Sequence, residues 1–173
     1  SMKELVEQLL FLARGDNDSM HIQMEMFDLT EVAAEVLKET EMIDQTHTFA
    51  ARWEGAVPVR ADVGLTKQAL RILVDNAIKY TAAGGRITLS AGVKDGFARL
   101  SVQDEGQGID AESLPHIFDR FYRTDESRAR QTGGTGLGLA IVKHIARIHN
   151  ARVKLESEVN VGTTITVVFE TAH

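Results

Sequence analysis

Two polar residues stand where the apolar pattern of this chain leaves no room for them. In the periodic run 62–81, an advance of about 100° per residue puts Leu65, Ala69, Ile72, Leu73 and Tyr80 on one face, with Asn76 in the middle of the stripe. A buried amide left without a hydrogen bond costs about 1–3 kcal/mol. Asn76 is therefore either a core asparagine satisfied by nearby backbone or a ligand for a metal or a polar small molecule. Lys79 lies one turn on, where its ammonium either reaches a phosphate or stays in solvent. In "FARLSVQDEGQGID", alternation puts Ala98, Leu100, Val102 and Asp104 on one side of a strand. Asp104 thereby turns a carboxylate toward the core, where it needs a partner. The amino group of a bound base is one partner, and the N–H groups of the following turn are another. Gly106 and Gly108 favour the base, because a flat ring can approach backbone that carries no side chain.

The third feature is "QTGGTGLGLAIVKHIARIH", in which Gly133, Gly134, Gly136 and Gly138 precede an apolar helix pattern. Glycine costs about 1 kcal/mol against alanine inside a helix. Placed just before one, it uncovers N–H groups that, with the helix dipole, favour anions. The spacing is neither the dinucleotide fingerprint nor a P-loop, which would need a following Gly-Lys-Ser/Thr. By themselves these glycines make a hinge or an anion site of unspecified kind. The polar, aperiodic "TDESRARQT" before them has the character of a lid. Phe118 and Phe121 are expected to anchor its base. Arg123, Arg128 and Arg130 each either meet a phosphate or stay ordinary surface arginines, and Arg123 is the one favoured for phosphate.

These residues need elements to hold them. "KELVEQLLFLAR" reads as a helix with a broad apolar stripe, ended by Gly15 and followed by the polar run "GDNDS". We place a boundary there, with residues 1–18 as helix stub and linker and 19–173 as the main domain. Asp28 is a good N-cap for a second helix, and Asp62 for a third that runs to about Thr81. Short strands are expected around 47–53 and 57–60. Strands 87–93 and 97–103 flank the turn "KDG", and 153–157 and 163–169 flank "NVG". A short helical segment is expected near 115–121. A helix over 137–149 ends at Asn150, which tolerates the left-handed conformation. Adjacent strands read as hairpins. The expected fold is an α+β two-layer sandwich, with a mixed, mainly antiparallel sheet against about three helices.

Composition narrows the function. The chain has 173 residues, 43% hydrophobic and 25% charged, which is ordinary for one globular domain plus an appended element. A net charge of −6 argues against a nucleic-acid platform, which needs a basic stripe. There is no cysteine, hence no disulfide framework and no thiolate metal site. The apolar runs are too short to span a bilayer, and no leader is evident. Ser1-Met2 reads as a remnant before an internal start, so a fragment of a longer cytoplasmic portion is expected.

In order and spacing, "DNAIKYT" (Asp75–Thr81), "DEGQGI" (Asp104–Ile109), "IFDRFYR" (Ile117–Arg123) and "GGTGLGLAIVK" (Gly133–Lys143) resemble the N, G1, F and G2 boxes of the sensor histidine kinases. Those kinases belong to the superfamily shared with gyrase, Hsp90 and MutL. The resemblance covers about residues 28–170. It implies ATP and Mg²⁺ as cofactors, with Asn76 holding the metal against the triphosphate. It also implies that Lys79 touches phosphate, Tyr80 neighbours the nucleoside, and Asp104 accepts from the adenine amino group. Gly106 and Gly108 then shape the adenine pocket, and Thr164, in "GTT", supports Asp104 through water. Gly134, Gly136 and Gly138 embrace the phosphates, with Arg123 beside them. Ile109, Phe121, Thr135, Leu137 and Leu139 complete the boxes around the nucleotide.

The activity implied is transfer of the ATP γ-phosphoryl to a histidine on a dimerisation domain, with a response regulator as downstream acceptor. Any membrane anchor would lie in parts outside this chain. None of the six histidines (His21, His47, His116, His144, His149, His173) has the acidic and Arg/Lys-Pro context of the family's phosphoacceptor. They read as structural or surface residues. One departure stands out: four residues before Asn76, where the ATPase relatives carry a water-activating glutamate, this chain has Ile72. Isoleucine takes no proton, which favours phosphoryl transfer to a histidine over hydrolysis.

Overall fold

Asp28 and Asp62 cap their helices and also tie them to segments distant in sequence. In the computed structural model, which describes residues 2–16, 21–119 and 137–170, helix α1 spans Met2–Asp16 and α2 spans Leu29–Ile43. Helix α3 spans Val63–Tyr80, and α4 spans Gly138–Ile148. Asp28 Oδ1 accepts from Thr30 N at 3.0 Å in the first turn of α2, and from Val57 N at 2.9 Å across the fold. Asp62 Oδ1 accepts from Leu65 N at 2.9 Å, while its Oδ2 accepts from Gln23 N at 2.9 Å. Asp62 N donates to His149 Nε2 at 3.0 Å. His149 Nδ1 in turn donates to Ile145 O at 2.7 Å, so this imidazole joins the end of α4 to the start of α3. The reading of His149 as structural holds.

The strands are β1 (Glu25–Asp28), β2 (Thr48–Arg52), β3 (Pro58–Ala61), β4 (Arg86–Lys94), β5 (Phe97–Asp104), β6 (Arg152–Glu158) and β7 (Gly162–Glu170). Five form one sheet in the order β2-β4-β5-β7-β6, and β1 pairs with β3 in a separate ribbon. Two of the expected hairpins are present. The β4–β5 turn has Asp95 at φ 56° and Gly96 at φ 82°, the pair of positive values that a two-residue type I′ turn requires. Asn150 at φ 54° ends α4, with Ala151 N returning to Ala146 O at 2.8 Å, as expected of a left-handed helix stop.

The third expected pairing is absent. Strands β2 and β3 are sequence neighbours but not partners. β2 lies parallel to β4, with Phe49 opposite Ile87, and a crossover containing α3 makes that parallel step. β3 pairs instead with β1, a four-residue strand that is exposed at its start and carries no alternation to betray it. Helix α1 runs through Gly15 to Asp16, and the only regular segment described near 115–121 is a 3₁₀ turn at Leu114–His116.

The core lies between one sheet face and α2, α3 and α4. It contains Val36, Leu70, Leu73, Ile87, Leu89, Leu100 and Ile141, all essentially inaccessible to solvent. The two-layer sandwich with a mixed, mainly antiparallel sheet is as expected. Helix α1 packs against α4 and buries Leu12 in the same core, making a fourth helix in the layer. No helix among the described residues is long and apolar enough to cross a membrane. Asp62 serves two segments through its two carboxylate oxygens, so Asp62→Ala is expected to lower stability by about 1–2 kcal/mol. The measurement is a shifted urea midpoint with an unchanged slope; an unshifted midpoint would show that the cap is dispensable.

Candidate nucleotide site

Asp104 is the most constrained group in the region. Alternation along β5 carries it to the core side, and only 6% of its surface is exposed. Its Oδ1 accepts from Gly106 N at 2.9 Å and from Thr163 N at 3.2 Å. Among the described residues no donor reaches Oδ2. Burial pushes the carboxyl above the usual carboxylate range, against the lowering pull of the Gly106 and Thr163 N–H groups. Such an oxygen is fit to accept from an amino group that arrives with a ligand.

The loop after β5 is clamped on both sides. A Cβ at Gly106 would stand 2.2 Å from Tyr80 O, and one at Gly108 would stand 2.3 Å from Glu158 O. Gly108 also takes φ 75°. Any side chain would push the loop off α3 or off the β6–β7 turn. Gln107 N donates to Tyr80 O at 3.4 Å, and Asn160 N to Gln107 O at 2.8 Å, so backbone bonds hold the same clamp. Ile109 is half-buried against the core, and its N–H donates to Ser157 Oγ at 2.8 Å. His47, expected to be structural, fixes the end of α3 by donating from Nε2 to Thr81 O at 2.7 Å.

Helix α3 collects the rest. Its buried residues are Thr66, Ala69, Leu70, Leu73, Val74 and Ala77. The centre of the buried face therefore lies about a quarter turn away from the stripe expected from the sequence. Asn76 is consequently half-buried at the flank of that face rather than in its middle, and its amide makes no hydrogen bond among the described residues. Lys79 is half-buried too, and its Nζ meets Asp75 Oδ2 at 3.0 Å. At the other end of this segment Ile72 packs against the start of α4, where a Cβ on Gly138 would stand 3.0 Å from Ile72 Cγ2. The isoleucine that replaces a base is thus a packing partner of the last glycine in the cluster. From the Ile72–Gly138 contact through Asn76 to the Tyr80–Gly106 contact, α3 advances about 12 Å.

Among the described residues no side chain caps α4, and no acidic residue stands in its first turn. Leu137 and Leu139 lie in the core at 0% and 8% exposure, so their side chains pack the domain, and only their backbone can face a ligand. Phe121, Arg123, Gly134, Thr135 and Gly136 lie outside the described residues, as does the lid segment. Among the described residues, no group of three or more His, Asp or Glu side chains is arranged to hold a metal.

One expected residue is corrected. Thr164 pairs with Gln103 and Glu156 on the opposite sheet face and cannot support Asp104. Its neighbour Thr163 lies directly across from Asp104 and is 7% exposed. Besides its N–H bond to Asp104, Thr163 Oγ1 meets Ser157 Oγ at 2.8 Å. Ser157 and Thr163 were missed by the sequence reading. Parity would have found Thr163, because Ile165, Val167 and Phe169 share its side of the strand.

Residues 61–173 match the family described as histidine kinase-, DNA gyrase B-, and HSP90-like ATPase. The sensor histidine kinase YkoH of Bacillus subtilis is 42% identical over 168 residues, which is 97% of this chain and 36% of that protein. The chain therefore spans about a third of that curated relative. Among solved structures, the Acinetobacter baumannii histidine kinase AdeS superposes with a TM-score of 0.80 at 28% identity, covering 99% of this chain and 79% of that one. Full-length ShkA in complex with AMPPNP gives 0.82 at 27% identity, over 98% of this chain and 36% of that one.

A raised folded-state pKa means that native Asp104 keeps its proton at pH values where the unfolded chain has lost it. Stability attributable to this group therefore falls as pH rises from the ordinary aspartate range through the raised value. Asp104→Asn keeps an oxygen acceptor for both N–H donors and cannot ionise. Its Tm relative to the parent chain is expected to become more favourable as pH rises above the ordinary aspartate range of about 4. A difference that does not change with pH would mean that the carboxylate pays no desolvation cost.

Proposed function

The chain belongs to the histidine kinase-, DNA gyrase B- and HSP90-like ATPase family, and from that premise we propose that it is the ATP-binding catalytic part of a two-component sensor histidine kinase. The observation that carries this reading is the run of contacts along α3, where the Asp104 loop closes on Tyr80 and the uncapped start of α4 closes on Ile72. In between stand the Asn76 amide, which has no partner among the described residues, and Lys79. The separation is that of an extended nucleoside triphosphate, base at one end and phosphates at the other.

Asp104 Oδ2 accepts from the adenine amino group, while Gly106 and Gly108 keep the pocket floor free of side chains. Tyr80 lines the nucleoside. Asn76 gives its amide oxygen to Mg²⁺, a hard cation that keeps several waters and takes its other ligands from phosphate oxygens. With no carboxylate cluster nearby, Asn76 is the protein ligand that the described residues offer. Lys79 is within reach of the phosphates once it leaves Asp75, a surface partner that holds it weakly. The first N–H groups of α4 lack a cap and point to the same end, where they stabilise phosphate charge. The γ-phosphoryl group of Mg-ATP is the chemistry supplied to this site. Positioning and charge neutralisation are what the protein must add to phosphoryl transfer, and Ile72 leaves no base here for activating water.

The acceptor is a histidine outside this chain, on a dimerisation domain to which residues 1–18 form the connecting helix and linker. Support comes from α1, which buries Leu12 on the domain yet leaves Met2, Val6, Leu9 and Leu10 exposed, the pattern of a helix that also faces a bundle. A response regulator is the downstream acceptor. The domain works in the cytoplasm, with any membrane anchor in other parts of the full protein.

Calorimetry with ATP is expected to give a micromolar Kd that Asp104→Asn weakens at least tenfold, with unchanged binding excluding the adenine assignment. Asn76→Ala is expected to abolish the Mg²⁺ dependence of triphosphate binding while leaving ADP binding largely intact. Joined to its own upstream helical domain, the chain is expected to yield acid-labile phosphohistidine from labelled ATP. ATP binding without that product would make it a nucleotide-sensing module.

A further inference from the structure

The outer face of the sheet, away from α2, α3 and α4, carries a feature that nucleotide binding does not use. Across four strands, one row reads Gly92 on β4, Arg99 on β5, Val168 on β7 and Arg152 on β6. The next row places Ser90 opposite Ser101, with Arg52 of β2 beside Ser90. Lys94 lies diagonally across from Arg99. A shallow, open depression of about 220 Å³, mostly apolar in its lining, lies on this face among Ser90, Gly92, Val93, Lys94, Arg99 and Ser101.

Gly92 has no structural reason to be glycine. It is the seventh residue of a nine-residue strand, its φ is not in the left-handed region, and a Cβ there would meet nothing within 4 Å. Glycine inside a strand weakens a sheet and often marks the close approach of a ligand. Directly across from it, Arg99 is only partly exposed, and its Nε is buried without a hydrogen-bond partner. Lys94, Arg99, Arg52 and Arg152 make no ion pair among the described residues, in a protein whose net charge is −6. A guanidinium can make two parallel bonds to a carboxylate or phosphate. A small rotation of the Arg99 side chain would give its Nε, which has no acceptor among the described residues, a partner. Surrounding cations steer an anion toward it.

We propose that this face holds an oxyanion site, in which Arg99, supported by Lys94 and the Ser90 hydroxyl, binds a carboxylate or phosphate group in the space left by Gly92. Ser101 Oγ already shares a hydrogen bond of 3.0 Å with Thr166 Oγ1 and forms the wall. The site lies on the opposite side of the sheet from Asp104, so its occupancy is independent of the adenine pocket.

The test is ¹⁵N–¹H NMR of the 173-residue chain, following the Arg99 Nε–H resonance during titration with inorganic phosphate and, separately, with succinate, against sodium chloride of equal ionic strength. A saturable shift with phosphate alone assigns a phosphate site, with succinate alone a carboxylate site, and with both a general oxyanion site. Gly92→Val fills the space with a residue that favours strands, so it should raise Tm while weakening the response at least tenfold. Arg99→Gln should weaken binding equally, followed through the Gly92 and Ser101 amides. No shift beyond the chloride control, or a response that survives in Gly92→Val, overturns the proposal.

Discussion

A carboxylate buried at the end of a central strand sets terms that the surrounding structure has to meet. Asp104 is 6% exposed and keeps one oxygen for two backbone donors. The first donor, Gly106, requires the chain to turn back sharply after β5. The second, Thr163, requires β7 to stand in the register that puts it opposite Asp104. Shifting β7 by one residue would bring Thr164 or Gly162 there and turn Ile165, Val167 and Phe169 out of the core. The hydrophobic pattern of β7 and the satisfaction of the carboxylate therefore select the same register. That agreement lets a costly polar group sit in an apolar wall without blurring the fold.

Helix α3 gives this constraint its length. Hydrophobic packing fixes one face of the helix through Leu70, Leu73 and Ala77, leaving the flank with Ile72, Asn76 and Tyr80 to meet the two loops. Glycines make both meetings close, Gly106 at the Tyr80 carbonyl and Gly138 at the Ile72 side chain. The distance between them is set by helix rise alone and does not depend on loop conformation. A site measured along a packed helix is more precise than one assembled from loops.

Much of this was legible in the sequence, and the misses share a cause. The caps at Asp28 and Asp62, the stop at Asn150 and the β4–β5 turn were readable because each depends on residues a few positions apart. The inward Asp104 was readable because strand parity is strict. Asn76 was placed on the right helix, but its burial was overstated. The sequence pattern weights Leu65 and Tyr80 as core, whereas the neighbouring elements bury Thr66 and Ala77 instead. Thr164 was chosen over Thr163 by motif likeness where parity pointed the other way. The β1–β3 ribbon and the parallel β2–β4 pair arise from contacts distant in sequence, for which four- and five-residue strands carry no local signal. Leu137 and Leu139 belong to the glycine box by position and to the core by side chain, a division that only three-dimensional packing reveals.

The two faces of the sheet handle charge in opposite ways. On the helix side, Lys79 is already paired with Asp75. The first N–H groups of α4 have no side-chain cap among the described residues. Those dipoles are fixed by backbone geometry and need no rearrangement when charge arrives. On the outer face, Arg52, Lys94, Arg99 and Arg152 carry full charges on long side chains over a bed of serine and threonine, with glycine left at the centre. In the reading proposed above, such fixed dipoles would add to the charge neutralisation asked of Lys79 and the metal. Placing unpaired charges on the far face suits recognition, where affinity and steering matter and nothing has to be released in a transition state.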